Sequence, residues 1–298
     1  MTTQTIRIAM LNADTPVPEV YANRAPTYGQ IFHNLFTSAA SRLELKSSTS
    51  SPAPEIKSTD YNVQNLEYPP DPSLIDAILI TGSANAAYEN IPWLERLNAY
   101  IRHIYTRHPR IKIFGSCFGH QIVCQSLLKE YGVYVEKDPN GHEMGVQTIT
   151  TTPEFRNAMN ASAGPAIAIP VSIPEKLRLQ FIHGDHVKLP SLDALPPSWV
   201  NLGRTQHCAV QGVYEPGRVL TYQGHFEFDR FVNSETLKFF AERGDMPLLE
   251  EYLEAADADD DAEVACDIVL RFFMEWGLER DVGAYERVGG LLTPPVQE

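Results

Sequence analysis

Basic residues are scarce: 24 Lys and Arg stand against 38 Asp and Glu, for a net charge of −14. That balance excludes a nucleic-acid partner, because phosphate binding takes a concentrated basic face. Cysteine is scarce as well. The four, at 117, 124, 208 and 266, are too few to scaffold 298 residues with disulfides. No run approaches the roughly 18 apolar residues that cross a membrane. The opening MTTQTIRIAMLNAD lacks the basic region and following apolar stretch of a secretory signal. Together these absences predict a cytoplasmic protein with free thiols and no membrane partner. What is present suffices for a sizeable core, with 43% hydrophobic residues, 13 Phe and 13 Tyr. The length fits one open α/β domain. Much of the acidity is local, in DADDDAE at 257–263, and it favours solubility without naming a substrate.

Along the chain, 6–11 (IRIAML) has the length and character of a strand, and its end at Asn12-Ala13-Asp14 that of a loop. Helical spacing of Ile31, Phe32, Leu35, Phe36 and Ala39 predicts a helix over 28–43. The Ser-, Thr- and Pro-rich stretch 46–59 reads as an exposed loop. Strands are predicted at 61–66, 76–81 and 111–114, and helices at 92–108, with proline in its first turn, and 118–131. The resulting β-α-β-β-α-β-α order predicts a flavodoxin-like, doubly wound, mostly parallel sheet flanked by helices. Strand pairs broken by the turn 139–141 are expected over 131–152, then an Ala-, Gly- and Pro-rich insertion at 156–173. Further strands are expected at 177–182, 200–205, 208–214 and 218–222. From 231 the pattern is helical, ending at 262–276. The expectation is a catalytic domain over 1–240 with a helical extension, 241–298, packed on it.

The sharpest chemical signal is GSCFGHQ at 115–121, between a strand and an amphipathic helix. A G-x-nucleophile-x-G turn is a nucleophile elbow: its glycines allow a tight strand-to-helix turn that pushes the central side chain into a cleft. Cys117 would then sit at a helix N-terminus, where the dipole and free N–H groups favour thiolate. The Phe118 N–H would face the oxygen of a tetrahedral intermediate. The bland alternative is a tight turn holding an inert cysteine. Of nine histidines, His225 stands out because it follows the strand 218–222. Residues two apart in extended chain share a face, which brings Glu227 to His225 as the carboxylate that orients the imidazole. Cys117, His225 and Glu227 are thus the expected catalytic triad.

These residues resemble the class I, triad-type glutamine amidotransferases. GSCFGHQ matches the nucleophile motif of that family, and His225-Phe226-Glu227 is similar to its His-Pro-Glu, with Phe226 in place of the usual proline. Within the family the likeness is greatest to stand-alone members related to the glutaminase domain of GMP synthase, including γ-glutamyl peptidases that process glutathione conjugates. The resemblance runs over roughly 6–240, interrupted near 156–173. It implies that Phe118 and either Ser83 or Ala84 supply the oxyanion amides, since the loop from Thr81-Gly82-Ser83 through Ala87-Tyr88-Glu89-Asn90 to Trp93 is similar to the family's. It further implies substrate contacts from Gly82, Gln121, Gly145 of the HEMG segment (142–145), and His183 and Asp185 of HGDH (183–186).

The activity implied is hydrolysis of the γ-amide of glutamine or of a γ-glutamyl compound through a γ-glutamyl thioester, with no cofactor. No synthetase domain with a Gly-rich phosphate loop follows the amidase portion, so a γ-glutamyl hydrolase working alone stands beside a glutaminase subunit that feeds ammonia to a separate synthetase. A silent binding protein on the same fold is the third reading. No metal is expected: Cys117, His120 and Cys124 fall at helical spacing but lack a fourth ligand. Cys124 reads as core packing, and Cys208, beside His207, as packing within a strand. Ser83 has no G-x-S-x-G context, and His33, His103 and His108 read as solvated or capping residues. Asp259 to Asp261 are expected to cap the last helix, whose apolar side (Val264, Ile268, Phe272, Trp276) packs on the body or forms a homodimer contact.

Overall fold

Period-two burial makes the first strand. In β1 (Thr5–Asn12), Ile6, Ile8 and Met10 enter one hydrophobic core while Ala9 and Leu11 enter another. The strand is therefore apolar on both faces, as a sheet covered by helices on both sides requires. The computed structural model describes residues 4–46, 53–162, 172–244, 248–275, 287–288 and 291–292. After β1 come α1 (Pro18–Asn23), α2 (Tyr28–Lys46), β2 (Glu55–Asn62), β3 (Ala77–Ile80), α3 (Pro92–Arg107), β4 (Lys112–Ser116) and α4 (Phe118–Leu128). The middle of the chain forms β5 (Tyr134–Lys137), β6 (Glu143–Thr151), α5 (Pro153–Ala161), β7 (Lys176–His183) and β8 (Asp185–Lys188). Then follow β9 (Val200–Asn201), β10 (Gly203–Arg204), β11 (Val213–Glu215), β12 (Val219–Tyr222), α6 (Arg230–Ala241), α7 (Leu249–Ala256) and α8 (Ala262–Met274).

Among the described residues the central sheet runs β2-β1-β3-β4-β12-β11-β9. From β2 to β12 every neighbouring pair is parallel, and β11 and β9 add an antiparallel edge. This is the doubly wound order in which the chain reverses direction across the sheet between β1 and β3. One core holds residues of α2 and α8, and the other, on the opposite face, residues of α3 and α4.

Several elements depart from the sequence pattern. The strand expected at 61–66 lies at 55–62, starting inside the expected loop, because β2 is an edge strand in which Ile56 is buried and its neighbours are largely exposed. Such a strand carries no apolar alternation to read. The two strands around the turn 139–141 do not pair with each other: β5 pairs with β8 and β6 with β7. The first residues of the expected insertion, 156–161, belong instead to α5, which starts at Pro153 and puts Phe155 and Met159 in the core, while 163–171 lie outside the described residues. The strand expected at 208–214 is confined to β11, so Cys208 lies in a loop, buried, with Sγ 3.5 Å from the Val210 carbonyl.

At the C-terminal end, α8 is interior: every residue from 265 to 273 is buried. Ile268 and Phe272 join the core beside α2, which removes that face as a homodimer contact, and Trp276 lies outside the described residues. The acidic run before α8 works mainly as a clip. Asp261 takes both a bidentate bond from the Arg178 guanidinium (2.7 and 3.1 Å) and the Arg178 N–H, and Asp259 pairs with Arg230. Asp260 accepts from the Ala262 N–H, the one capping bond of this group.

Candidate active site

The carboxyl ends of β1, β3, β4 and β12 are neighbours, so the segments that follow them converge. β1 delivers Asp14, β3 delivers Gly82 to Ala84, β4 delivers Cys117, and β12 delivers Gln223, His225 and Glu227. A crevice at this point is where open α/β sheets bind ligands. Cys117 occupies the one-residue turn from β4 to α4 with φ 52° and ψ −108°, a strained backbone for a residue with a Cβ. The glycines on either side explain the turn. A Cβ on Gly115 would lie 2.4 Å from the Gly119 carbonyl oxygen, and one on Gly119 would lie 2.2 Å from the Ile80 oxygen. Both glycines let the first turn of α4 press against the backbones of β3 and β4. As first residue of α4, Phe118 has an N–H with no intrahelical acceptor.

His225 and Glu227 are buried, 2% and 3% exposed, and the His225 Nδ1 lies 2.7 Å from Glu227 Oε1. The same oxygen accepts the Ser116 hydroxyl at 2.9 Å. The Phe228 ring stacks on the imidazole with centroids 4.1 Å apart. Nε2 of His225 is buried without an oxygen or nitrogen partner. Cys117 lies beside that ring: a Cβ on Gly82 would sit 3.1 Å from His225 Cε1 and 3.8 Å from Cys117 Cβ. Burial pulls the imidazole down, but Glu227 and Cys117 outweigh it and push His225 from 6.5 up to about 10. The site thus favours the protonated imidazole. Its contribution to folding is complete below 6.5 and fades as pH climbs through about 10.

Phe226 does not disturb this geometry, because it points the other way. Its ring lies in an aromatic cluster with Phe32, Phe36, Phe114 and Tyr222. Phe226 thus belongs to the core while its two neighbours belong to the site. Phe226→Pro, which restores the family's more usual residue, should destabilise the chain by about 3–5 kcal/mol, the cost of emptying a buried Phe site. Urea denaturation checks it; an unchanged midpoint would refute this account of the position.

A cavity of ≈ 430 Å³ opens at the site, lined by Cys117, His225, Gly82, Ser83, Ala84, Gln121, His183 and Asp185 among others. The remaining expected site residues stand elsewhere. Glu227 sits behind His225. Gly145 is absent from the lining: at φ +70°, a Cβ there would meet Ala255 Cβ at 2.4 Å, so its role is close approach of β6 to α7. Ala84 lines the cavity, but its N–H donates to Asp14 Oδ2 at 2.9 Å, which leaves Ser83 as the amide of that loop for an oxyanion. His183 is engaged at both ring nitrogens, with the Asp185 carbonyl (2.9 Å) and Glu143 Oε2 (3.1 Å). Burial pushes the Glu143 carboxyl up, and the hydrogen bond and charge of His183 outweigh it. Asp185 takes the Tyr88 hydroxyl at 3.2 Å, and burial keeps its carboxyl above the ordinary value. The other cysteines are inert by environment: burial raises the Cys124 and Cys266 thiols, and Cys208 goes up to about 12. His120, completely buried against Thr221, is pulled down to about 3 by burial.

Sequence reasoning missed Asp14, Ser116, Tyr28, Gln223 and Arg243. Ser116 and Gln223 had a local signal, being the residue before the nucleophile and the residue two before the histidine. Tyr28, Asp14 and Arg243 reach the cavity only through folding.

A family model described as glutamine amidotransferase class-I matches residues 27–240. A glutamine amidotransferase-like protein of Schizosaccharomyces pombe is 28% identical over 231 residues, covering 78% of this chain and 83% of that one. Gamma-glutamyl peptidase 5 of Arabidopsis thaliana is 27% identical over 179 residues, covering 59% of this chain and 64% of its own. Among solved structures, a glutamine amidotransferase from Thermotoga maritima superposes with a TM-score of 0.62 at 17% identity, covering 90% of this chain and 98% of that one. At that identity the likeness is one of fold. Among the described residues no helix is long and apolar enough to cross a membrane.

Proposed function

The chain belongs to the class I glutamine amidotransferase family, and on that premise we propose that it is a cysteine-nucleophile hydrolase of γ-glutamyl amides. The observation that carries this reading is a cysteine on a strained strand-to-helix turn with a buried, hydrogen-bonded histidine–glutamate pair beside it. The Cys117 sulfur attacks the γ-carbonyl carbon, and the carbonyl electrons move to oxygen, where the N–H groups of Phe118 and Ser83 receive them. When the C–N bond breaks, His225 passes its proton to the departing nitrogen and a γ-glutamyl thioester remains. Water then adds to the thioester while neutral His225 takes its proton. Glutamate leaves and the thiolate–imidazolium pair is restored. Glu227, itself held by Ser116, keeps the imidazole oriented throughout and stabilises its charged form before and after the acyl transfer.

The cavity favours a substrate larger than glutamine. At ≈ 430 Å³ it falls within the range of sites for drug-sized ligands, and three relatives carry the name gamma-glutamyl peptidase. Asp185 offers a carboxylate to an α-ammonium group. The test is hydrolysis of γ-glutamyl-cysteinyl-glycine, its S-conjugates and glutamine by the purified chain. Glutamate should appear together with the intact amine product. Because the proton donor is His225, the rate should decline as pH rises toward about 10. Ammonia from glutamine alone, and only after a second protein is added, would instead make the chain the glutaminase subunit of a two-chain synthetase. Glutamate release from none of these substrates would leave the silent binding protein.

A further inference from the structure

A residue outside the triad also touches the nucleophile. Gln223, wholly buried, places its side-chain Nε2 3.6 Å from Cys117 Sγ. Which end of that amide faces the sulfur follows from a chain of hydrogen bonds. The backbone carbonyl of Asp185 can only accept, and it lies 3.0 Å from the Gln121 amide, so Gln121 presents Nε2 there. The same Nε2 lies 3.1 Å from the side chain of Gln223, which must therefore present its oxygen to Gln121. The NH₂ of Gln223 is then left facing sulfur.

We propose that Gln223 is a catalytic residue whose amide donates to the Cys117 sulfur and holds it as the attacking anion, with Gln121 as the positioning residue that sets the amide's orientation. The proposal rests on the reading of Cys117 as nucleophile. A donor aimed at sulfur stabilises charge there and gives nothing comparable to the neutral thiol. Gln121 thereby gains a second duty: it lines the cavity and also ties the substrate wall, through the Asp185 carbonyl, to the amide on the sulfur. A ligand that shifts the wall at Asp185 acts on the nucleophile through two side chains.

Other ionisable groups near Cys117 are His225, from the segment after β12, and Tyr28, from α2, with Glu227 behind His225. They remain in place in the variants that test the idea. The experiment is the rate of Cys117 alkylation by iodoacetamide against pH, read by peptide mapping of the full chain, for the parent, Gln223→Met and Gln223→Glu. Loss of one donor to an anion should raise the midpoint of the profile by about one pH unit in Gln223→Met, which is about tenfold slower labelling at low pH. Gln223→Glu, which swaps the donor for an acceptor, should shift it further. kcat should fall about as much on the acid limb of its pH profile and recover as pH rises, with KM nearly unchanged, a pattern that a packing defect does not produce. Gln223→Asn keeps a buried amide but withdraws it from sulfur, and serves with the same expected shift if the other variants melt early. A parental midpoint in any folded variant overturns the role of Gln223 and leaves the nucleophile untouched. Labelling of parental Cys117 no faster than Cys124, Cys208 or Cys266 overturns the nucleophile assignment as well.

Discussion

Cys117→Ala and Cys117→Gly should both lose γ-glutamyl hydrolysis by a factor on the order of 10⁴ or more, the usual consequence of deleting a covalent nucleophile. The two variants should nevertheless differ in stability. Cys117 adopts φ 52° and ψ −108°, and alanine inherits that strain whereas glycine does not. With the sulfur absent from both, Cys117→Gly should be the more stable by about 1 kcal/mol, the lower end of the cost of such a conformation. Activity assays and urea melts on the pair separate the two effects. Activity within tenfold of the parent in either variant would discard the thioester route. A glycine variant less stable than the alanine one would show that the turn is not strained. On the proposed reading the strain serves the chemistry, because the turn holds the sulfur beside His225 at the open end of the sheet.

Gly119→Ala should be severely damaging to the elbow. Helix propensity alone argues the reverse, since alanine inside a helix is worth about 1 kcal/mol over glycine. The added methyl, however, would lie 2.2 Å from the Ile80 oxygen and 3.0 Å from its carbonyl carbon. Those atoms belong to a central strand held by parallel partners on both sides, β1 and β4. Neither β3 nor α4 can retreat without opening the core that contains Ile80, Phe118 and Ile122. A loss of about 3 kcal/mol or more is expected, against a total stability of about 5–15 kcal/mol for a protein of this kind. Gly141→Ala is the control. Nothing lies within 4 Å of a Cβ there, so its φ of +92° is its only penalty, about 1 kcal/mol. Equal urea midpoints for the two variants would refute the steric account.

How much of this was legible beforehand depends on the range of the interaction. The two-faced apolar strand β1, the helical spacing of α2, and the elbow from Gly115 to Gly119 are written in consecutive residues, because strand period, helix period and turn chemistry are local properties. The nearness of His225 to Glu227 was readable for the same reason, and the 2.7 Å bond between them realises it. Edge strand β2 was misplaced because an edge needs backbone partners more than apolar side chains. Gly145 was expected at the substrate only through the resemblance of 142–145, and its contact with α7 was invisible because a glycine's neighbours are set by the fold.

By itself, then, the sequence determined the alternating α/β order, the strained turn that carries a cysteine, and the histidine and glutamate that accompany it. Tertiary structure alone decided which atoms meet. It turned Phe226 into the core and away from the site, gave the Ala84 amide to Asp14, buried α8 against α2, and laid the Gln223 amide on the Cys117 sulfur. Gln223 and Cys117 are 106 positions apart, and Asp14 and Ala84 are 70. No periodicity spans such distances. The parallel pairing of β1 with β3, β3 with β4, and β4 with β12 closes them, by setting four strand ends side by side.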